Sequence, residues 1–169
     1  MTRGRRPAPR DASSPPSAPA RTTALRLLGR RDYSVTELRD RLARRGYPAD
    51  DIETTVERLQ ADGLLDDRRF AEAYVRTASR LKSRGRRRIE RELVARGIDR
   101  SLAADLTAGI TDDVETTAIE RLLLRRRLSL PLAPAARRSL YQQLLRRGFS
   151  SDAISAALAG RGIDVDPDD

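Results

Sequence analysis

One pattern recurs three times along this chain, with glycines at Gly46, Gly97 and Gly148 at a constant spacing of 51 residues. Leucine or isoleucine stands four and eight positions before each glycine: Leu42 and Leu38, Leu93 and Ile89, Leu144 and Leu140. Residues at i and i+4 share a helix face, so each pair is one apolar stripe. A second pair follows each glycine: Ile52 and Val56, Leu102 and Leu106, Ile154 and Leu158. A repeat of this period marks tandem helical units that bury their stripes against neighbouring helices.

The glycine reads as a helix stop in the left-handed conformation, which places it at C′. C3 is then Leu42, Leu93 or Leu144, and C″ is Tyr47, Ile98 or Phe149. A Schellman ending pairs apolar residues at those two positions, and all three copies supply them. Arg44, Arg45, Arg96, Arg146 and Arg147 fill the last turns, where the helix dipole favours cations. The next helix restarts at Pro48, Asp99 or Ser150, and Ser34 with Glu37 forms a capping box ahead of the first stripe. A further helix precedes each pair, over residues 22–30, 67–81 and 113–127, where apolar residues again have helical spacing. No alternating run is long enough for a strand.

The expected fold is all-α: a tandem array of three three-helix repeats, elongated and curved. The expected boundaries are 22–63, 64–110 and 111–160, between a disordered basic tail over 1–21 and an acidic tail over 161–169.

Chemistry is excluded more readily than it is suggested. The 169-residue chain has no cysteine and no histidine. Disulfides and thiolate metal sites are therefore impossible, and the commonest general base is missing. No phosphate-binding glycine loop, dinucleotide fingerprint or nucleophile elbow occurs. Asp66 and Asp67 suit the cap of the Phe70 helix better than a metal site. No enzyme activity, cofactor or metal is expected. No apolar run has the length of a membrane helix, and the N-terminus lacks the apolar core of a secretory signal. The expectation is a cytoplasmic monomer with no membrane partner.

The net charge is +9, and 33 of the 34 basic residues are arginine. The N-terminal tail carries +4 and the last six residues −4, so the stretch between them keeps the whole surplus, which suits a polyanion or an acidic protein face. The densest cluster, Arg80 to Arg100, holds nine basic residues against three acids. Within it Lys82, Arg84, Arg86, Arg87, Arg88 and Arg91 surround the junction at Gly85. A loop there could bring several guanidiniums to a phosphate run, with the N–H groups of the next helix adding to the pull. Arg125, Arg126 and Arg127 form a second cluster, and Arg146 with Arg147 belongs to a third. Dipole capping is an adequate reason for these two, whereas no cap requires so many cations between Lys82 and Arg88.

The runs GLLDDRRFAEAYVR (63–76), SRGRRRIERELVARGI (83–98) and LLRRGFSSDAI (144–154) resemble the RecX family of recombination regulators. The resemblance covers about residues 24–159. It implies a non-enzymatic protein that binds the RecA recombinase and its filaments on single-stranded DNA. It implies inhibition, in most cases, of ATP hydrolysis, strand exchange and co-protease action in recombination, repair and the SOS response. Direct contact with single- or double-stranded DNA accompanies that reading. The family offers no catalytic residues, so the basic positions named above are the candidate partner and DNA contacts. Two other readings stay open. Each helix–glycine–helix pair superficially resembles a DNA-reading helix-turn-helix, although the second helices are poor in Arg, Asn and Gln. Single-stranded nucleic-acid binding as the sole function would rest on only four Tyr and two Phe as stacking platforms.

Overall fold

The three repeated glycines stop helices as the spacing predicts. In the computed structural model, which describes residues 18–126 and 131–163, Gly46, Gly97 and Gly148 have φ of 82°, 82° and 86°. Each is followed by the Schellman pair of hydrogen bonds. The amide of Tyr47 donates to the Leu42 carbonyl at 3.4 Å, Ile98 to Leu93 at 3.1 Å and Phe149 to Leu144 at 3.4 Å. The glycine amides donate to Ala43, Val94 and Leu145. Two further endings of the same kind were not marked by the leucine pattern. Gly63 and Gly162 also have positive φ, and the amides after them reach back to the Leu59 and Leu158 carbonyls.

Nine helices and no strand occur among the described residues. They are α1 (Ala20–Leu28), α2 (Val35–Ala43), α3 (Ala49–Ala61), α4 (Asp67–Arg80), α5 (Arg86–Val94), α6 (Arg100–Thr107), α7 (Asp112–Arg126), α8 (Pro134–Arg146) and α9 (Ser151–Ala159). The caps read from sequence are in place. Ser34 Oγ accepts the Glu37 amide, Asp99 accepts the amides of Ser101 and Leu102, and Ser150 Oγ accepts that of Ala153.

Each set of three helices encloses its own apolar core. In the first, Ala24, Leu38, Leu42, Ile52, Val56 and Leu59 are buried. In the second the buried residues include Phe70, Ala71, Ile89, Leu93 and Ile98. In the third they include Ile119, Leu123, Leu144, Phe149, Ile154 and Leu158. Burial of one such side chain contributes about 1.5–3 kcal/mol, so these stripes dominate the stability of helices only two to four turns long. The chain divides into two compact units, residues 1–66 and 67–169, so the second and third repeats belong to one body.

The expected tails are shorter than composition suggests. Helix α1 starts at Ala20, where Arg21 pairs with Asp62 at 3.0 Å and the Tyr47 hydroxyl donates to the Ala18 carbonyl at 2.7 Å. At the other end Ile163 is buried in the third core, because the Gly162 turn folds it back onto α9. The remaining tail positions, 1–17 and 164–169, lie outside the described residues. Among the described residues, no helix is long and apolar enough to cross a membrane.

Candidate interaction surface

The basic junction around Gly85 is built into the seam between the second and third repeats. Ser83 takes a left-handed φ of 47° and Gly85 an extended one, which starts α5 without a side-chain cap. The turn between α8 and α9 supplies the missing acceptors. The Gly85 amide donates to the Arg147 carbonyl at 2.9 Å and the Arg87 amide to the Gly148 carbonyl at 3.2 Å. The two glycines lie so close that a Cβ on Gly85 would stand 2.3 Å from the Gly148 carbonyl carbon. A Cβ on Gly148 would stand 2.3 Å from Arg88 Cβ. Only a residue without a side chain fits either place.

Glu115 completes the seam. The residue is 2% exposed, and its carboxylate accepts two amides, from Arg86 at 2.6 Å and from Ser150 at 2.7 Å. Arg86 opens α5 and Ser150 caps α9, so one buried negative charge serves the positive ends of two helix dipoles. The Ser150 hydroxyl is tied in turn to Asp112 at 2.7 Å. These bonds correct one expectation from sequence. The α5 amides are not open to a phosphate, because Arg147, Gly148 and Glu115 already occupy them. Glu115 left a signal in the sequence, since it heads the stripe Glu115–Ile119–Leu123 at helical spacing. An acid at an apolar stripe position points to a buried partner.

The candidate arginines divide into two groups. Arg84 Nη1 reaches the Tyr74 hydroxyl at 2.8 Å and pairs with Glu92, while Arg88 Nε pairs with the same carboxylate at 2.9 Å. Burial raises the Glu92 carboxyl, but the Tyr74 hydroxyl and the two guanidiniums outweigh it and hold the group below the usual carboxylate value. Arg88 Nη1 also donates to the Arg146 carbonyl at 3.3 Å, and Arg147 Nη1 to the Ser83 carbonyl at 3.4 Å. Arg88 and Arg147 thus reach across the seam, while Arg84 shares Glu92 with Arg88 inside the second repeat. Burial and the nearby charges of Arg126 and Arg88 push the Arg147 guanidinium below its ordinary value. Arg126 itself is tied to Gln143 at 2.7 Å.

Lys82, Arg87, Arg91, Arg125 and Arg146 project from the surface with no carboxylate partner among the described residues. Arg86 is half-buried, 4.0 Å from Glu90, and Arg127 lies outside the described residues. Arg84 and Arg125 line one cleft of about 610 Å³ together with Arg80 and Arg121, two cations outside the candidate set. Arg121 and Arg125 stand four positions apart on α7, a spacing that puts both on one helix face.

The chain matches the model of the first three-helix domain of RecX over residues 20–59. It matches that of the second three-helix domain over 66–106. It is 40% identical over 144 residues to "Regulatory protein RecX" of Chromohalobacter salexigens, covering 84% of this chain and 92% of the relative. It is 36% identical to the protein of the same name from Mycolicibacterium vanbaalenii, covering 90% of each. The crystal structure of RecX from Lactobacillus salivarius superposes with a TM-score of 0.73 at 26% identity, covering 83% of this chain and 93% of that one. With its first two three-helix domains matched and relatives at 36–40% identity over most of its length, the chain belongs to the RecX family of regulatory proteins.

Proposed function

We propose that this protein regulates the RecA recombinase. It binds RecA and RecA filaments on single-stranded DNA, and restrains ATP hydrolysis, strand exchange and co-protease action in recombination, repair and the SOS response. It does so without chemistry of its own, from the cytoplasm, as a monomer. Membership of the RecX family, with its first two three-helix domains both matched, is the observation that carries this reading. The surface cations fit it. Lys82, Arg87, Arg91, Arg125 and Arg146 are exposed and free to meet an acidic protein face or the DNA backbone. By bridging neighbouring protomers, the protein hinders the motions that ATP turnover needs.

The helix-turn-helix reading has little to stand on in the second helices. Helix α9 contains no basic residue, and Ile154, Ala157 and Leu158 are buried in its repeat. Helix α3 begins with Asp50 and Asp51, which would face phosphates with the wrong sign. The test is to titrate the protein into a RecA ATPase assay on single-stranded DNA. The expected result is a saturable fall in rate that weakens with added salt. No effect at micromolar protein would overturn the proposal.

A further inference from the structure

The cleft in the 67–169 unit brings together features that the basic sequence runs do not announce. Its rim carries Arg80 from the end of α4, Arg84 from the junction, and Arg121 and Arg125 from α7. Arg84 is committed to Glu92, but Arg80, Arg121 and Arg125 have no carboxylate partner among the described residues. One wall is apolar: Ile110, Val114 and Ala118 line it, Ser79 and Ser83 also line the cleft, and Val114 is 49% exposed. Glu115 also lines the cleft, but both of its oxygens are occupied by amides at helix N-termini, so its charge is compensated inside the protein. Two of the most exposed large apolar side chains stand next in sequence to rim arginines: Leu81 at 78% beside Arg80, and Leu124 at 63% beside Arg125.

We propose that this cleft binds an acidic peptide segment of the protein partner, with one aliphatic or aromatic side chain seated between Val114 and Ala118. Its carboxylates then meet Arg80, Arg121 and Arg125. This deepens the reading above and rests on it. Nucleic acid fits the cleft less well. Phe149 lines the cleft but is 1% exposed, so no aromatic face is open for a base to stack on. An apolar wall inside a ring of guanidiniums suits a mixed acidic and apolar chain, where one anchor residue supplies most of the affinity and the charges set register.

The experiment is fluorescence anisotropy with two labelled probes. One is a twelve-residue peptide of aspartate and glutamate around a single phenylalanine; the other is a twelve-nucleotide single strand. The wild type is compared with Arg121→Glu/Arg125→Glu and with a control around the C-terminal end of α1, Arg26→Glu/Arg30→Glu, which has the same sequence spacing and charge change. Circular dichroism confirms that each variant keeps its helices. The expected result is a loss of at least about tenfold in peptide affinity for the α7 variant alone. Equal loss in both variants, no loss in either, or no peptide binding by the wild type would overturn the cleft. So would an α7 effect confined to the oligonucleotide, which would make the cleft a phosphate site. Sedimentation of the wild type with RecA filaments, run in parallel, keeps the readings apart. If the wild type fails to sediment while the peptide result holds, the choice of partner falls and the cleft stands.

Discussion

Helices α2 and α5 occupy equivalent places in the first two repeats, yet their N-termini are closed by different means. Helix α2 is capped from within, by the Ser34 hydroxyl on the Glu37 amide, while Glu37 pairs with Arg31 at 2.9 Å. Helix α5 begins at a glycine with no side chain to offer, and its first amides are closed by Arg147, Gly148 and Glu115 of the third repeat. The same repeated pattern thus yields one helix that carries its own cap and one that borrows it. The arginines around Gly85 look alike in sequence, but the borrowed cap sorts them. Arg88 and Arg147 reach across the seam, Arg84 pairs with Glu92 inside the second repeat, and Lys82, Arg87 and Arg91 stay exposed with no carboxylate partner among the described residues.

The repeated glycines offer the sharpest way to break this comparison. Gly46 and Gly148 share a motif position and nearly the same φ, but an added Cβ meets nothing within 4 Å at Gly46 and meets Arg88 Cβ at 2.3 Å at Gly148. Gly46→Ala should cost about 1–2 kcal/mol, the strain of a left-handed alanine. Gly148→Ala should cost about 4 kcal/mol or more, since the seam must also open. Urea denaturation of the two variants reads the difference. Equal costs would mean that the third repeat does not cap α5.

Glu115→Ala comes next. It leaves the amides of Arg86 and Ser150 without this acceptor, a loss of about 2–3 kcal/mol by the same measurement. The counterpart in the first repeat, Ser34→Ala, should cost only about 1 kcal/mol, the ordinary value of an N-cap.

The smallest effect is set by pH. The Glu92 carboxyl is held below its unfolded value, so the pairing contributes stability above the unfolded value of about 4.3. It loses that contribution as pH falls through the lower folded value. Thermal melting between about pH 5 and pH 3 should show a decline attributable to this group, and Glu92→Gln should flatten it.

Much of the fold was legible because its signals are local. A Schellman stop, an N-cap and an i, i+4 stripe each involve residues within a few positions, so Leu42–Gly46–Tyr47 or Asp99–Ser101 can be read directly. The seam could not be read in that way. Its bonds join the Arg86 amide to Glu115 and the Gly85 amide to Arg147, residues distant in the chain, and an arginine whose side chain reaches a remote carbonyl looks in sequence like one facing water. The cleft has the same origin: Arg80 and Arg121 belong to different repeats, and only the tertiary fold brings both to the rim of one cleft. Glu115 was the readable exception, a charged residue at the head of an apolar stripe.

The division of the arginines is tested most directly by sedimenting the protein with preassembled RecA filaments on single-stranded DNA. Wild type and Lys82→Glu/Arg87→Glu are compared at equal folded concentration. Both substituted side chains are exposed and without a carboxylate partner among the described residues, so the variant should melt like the wild type and remain in the supernatant. A variant that melts like the wild type and still pellets with the filaments would contradict the account.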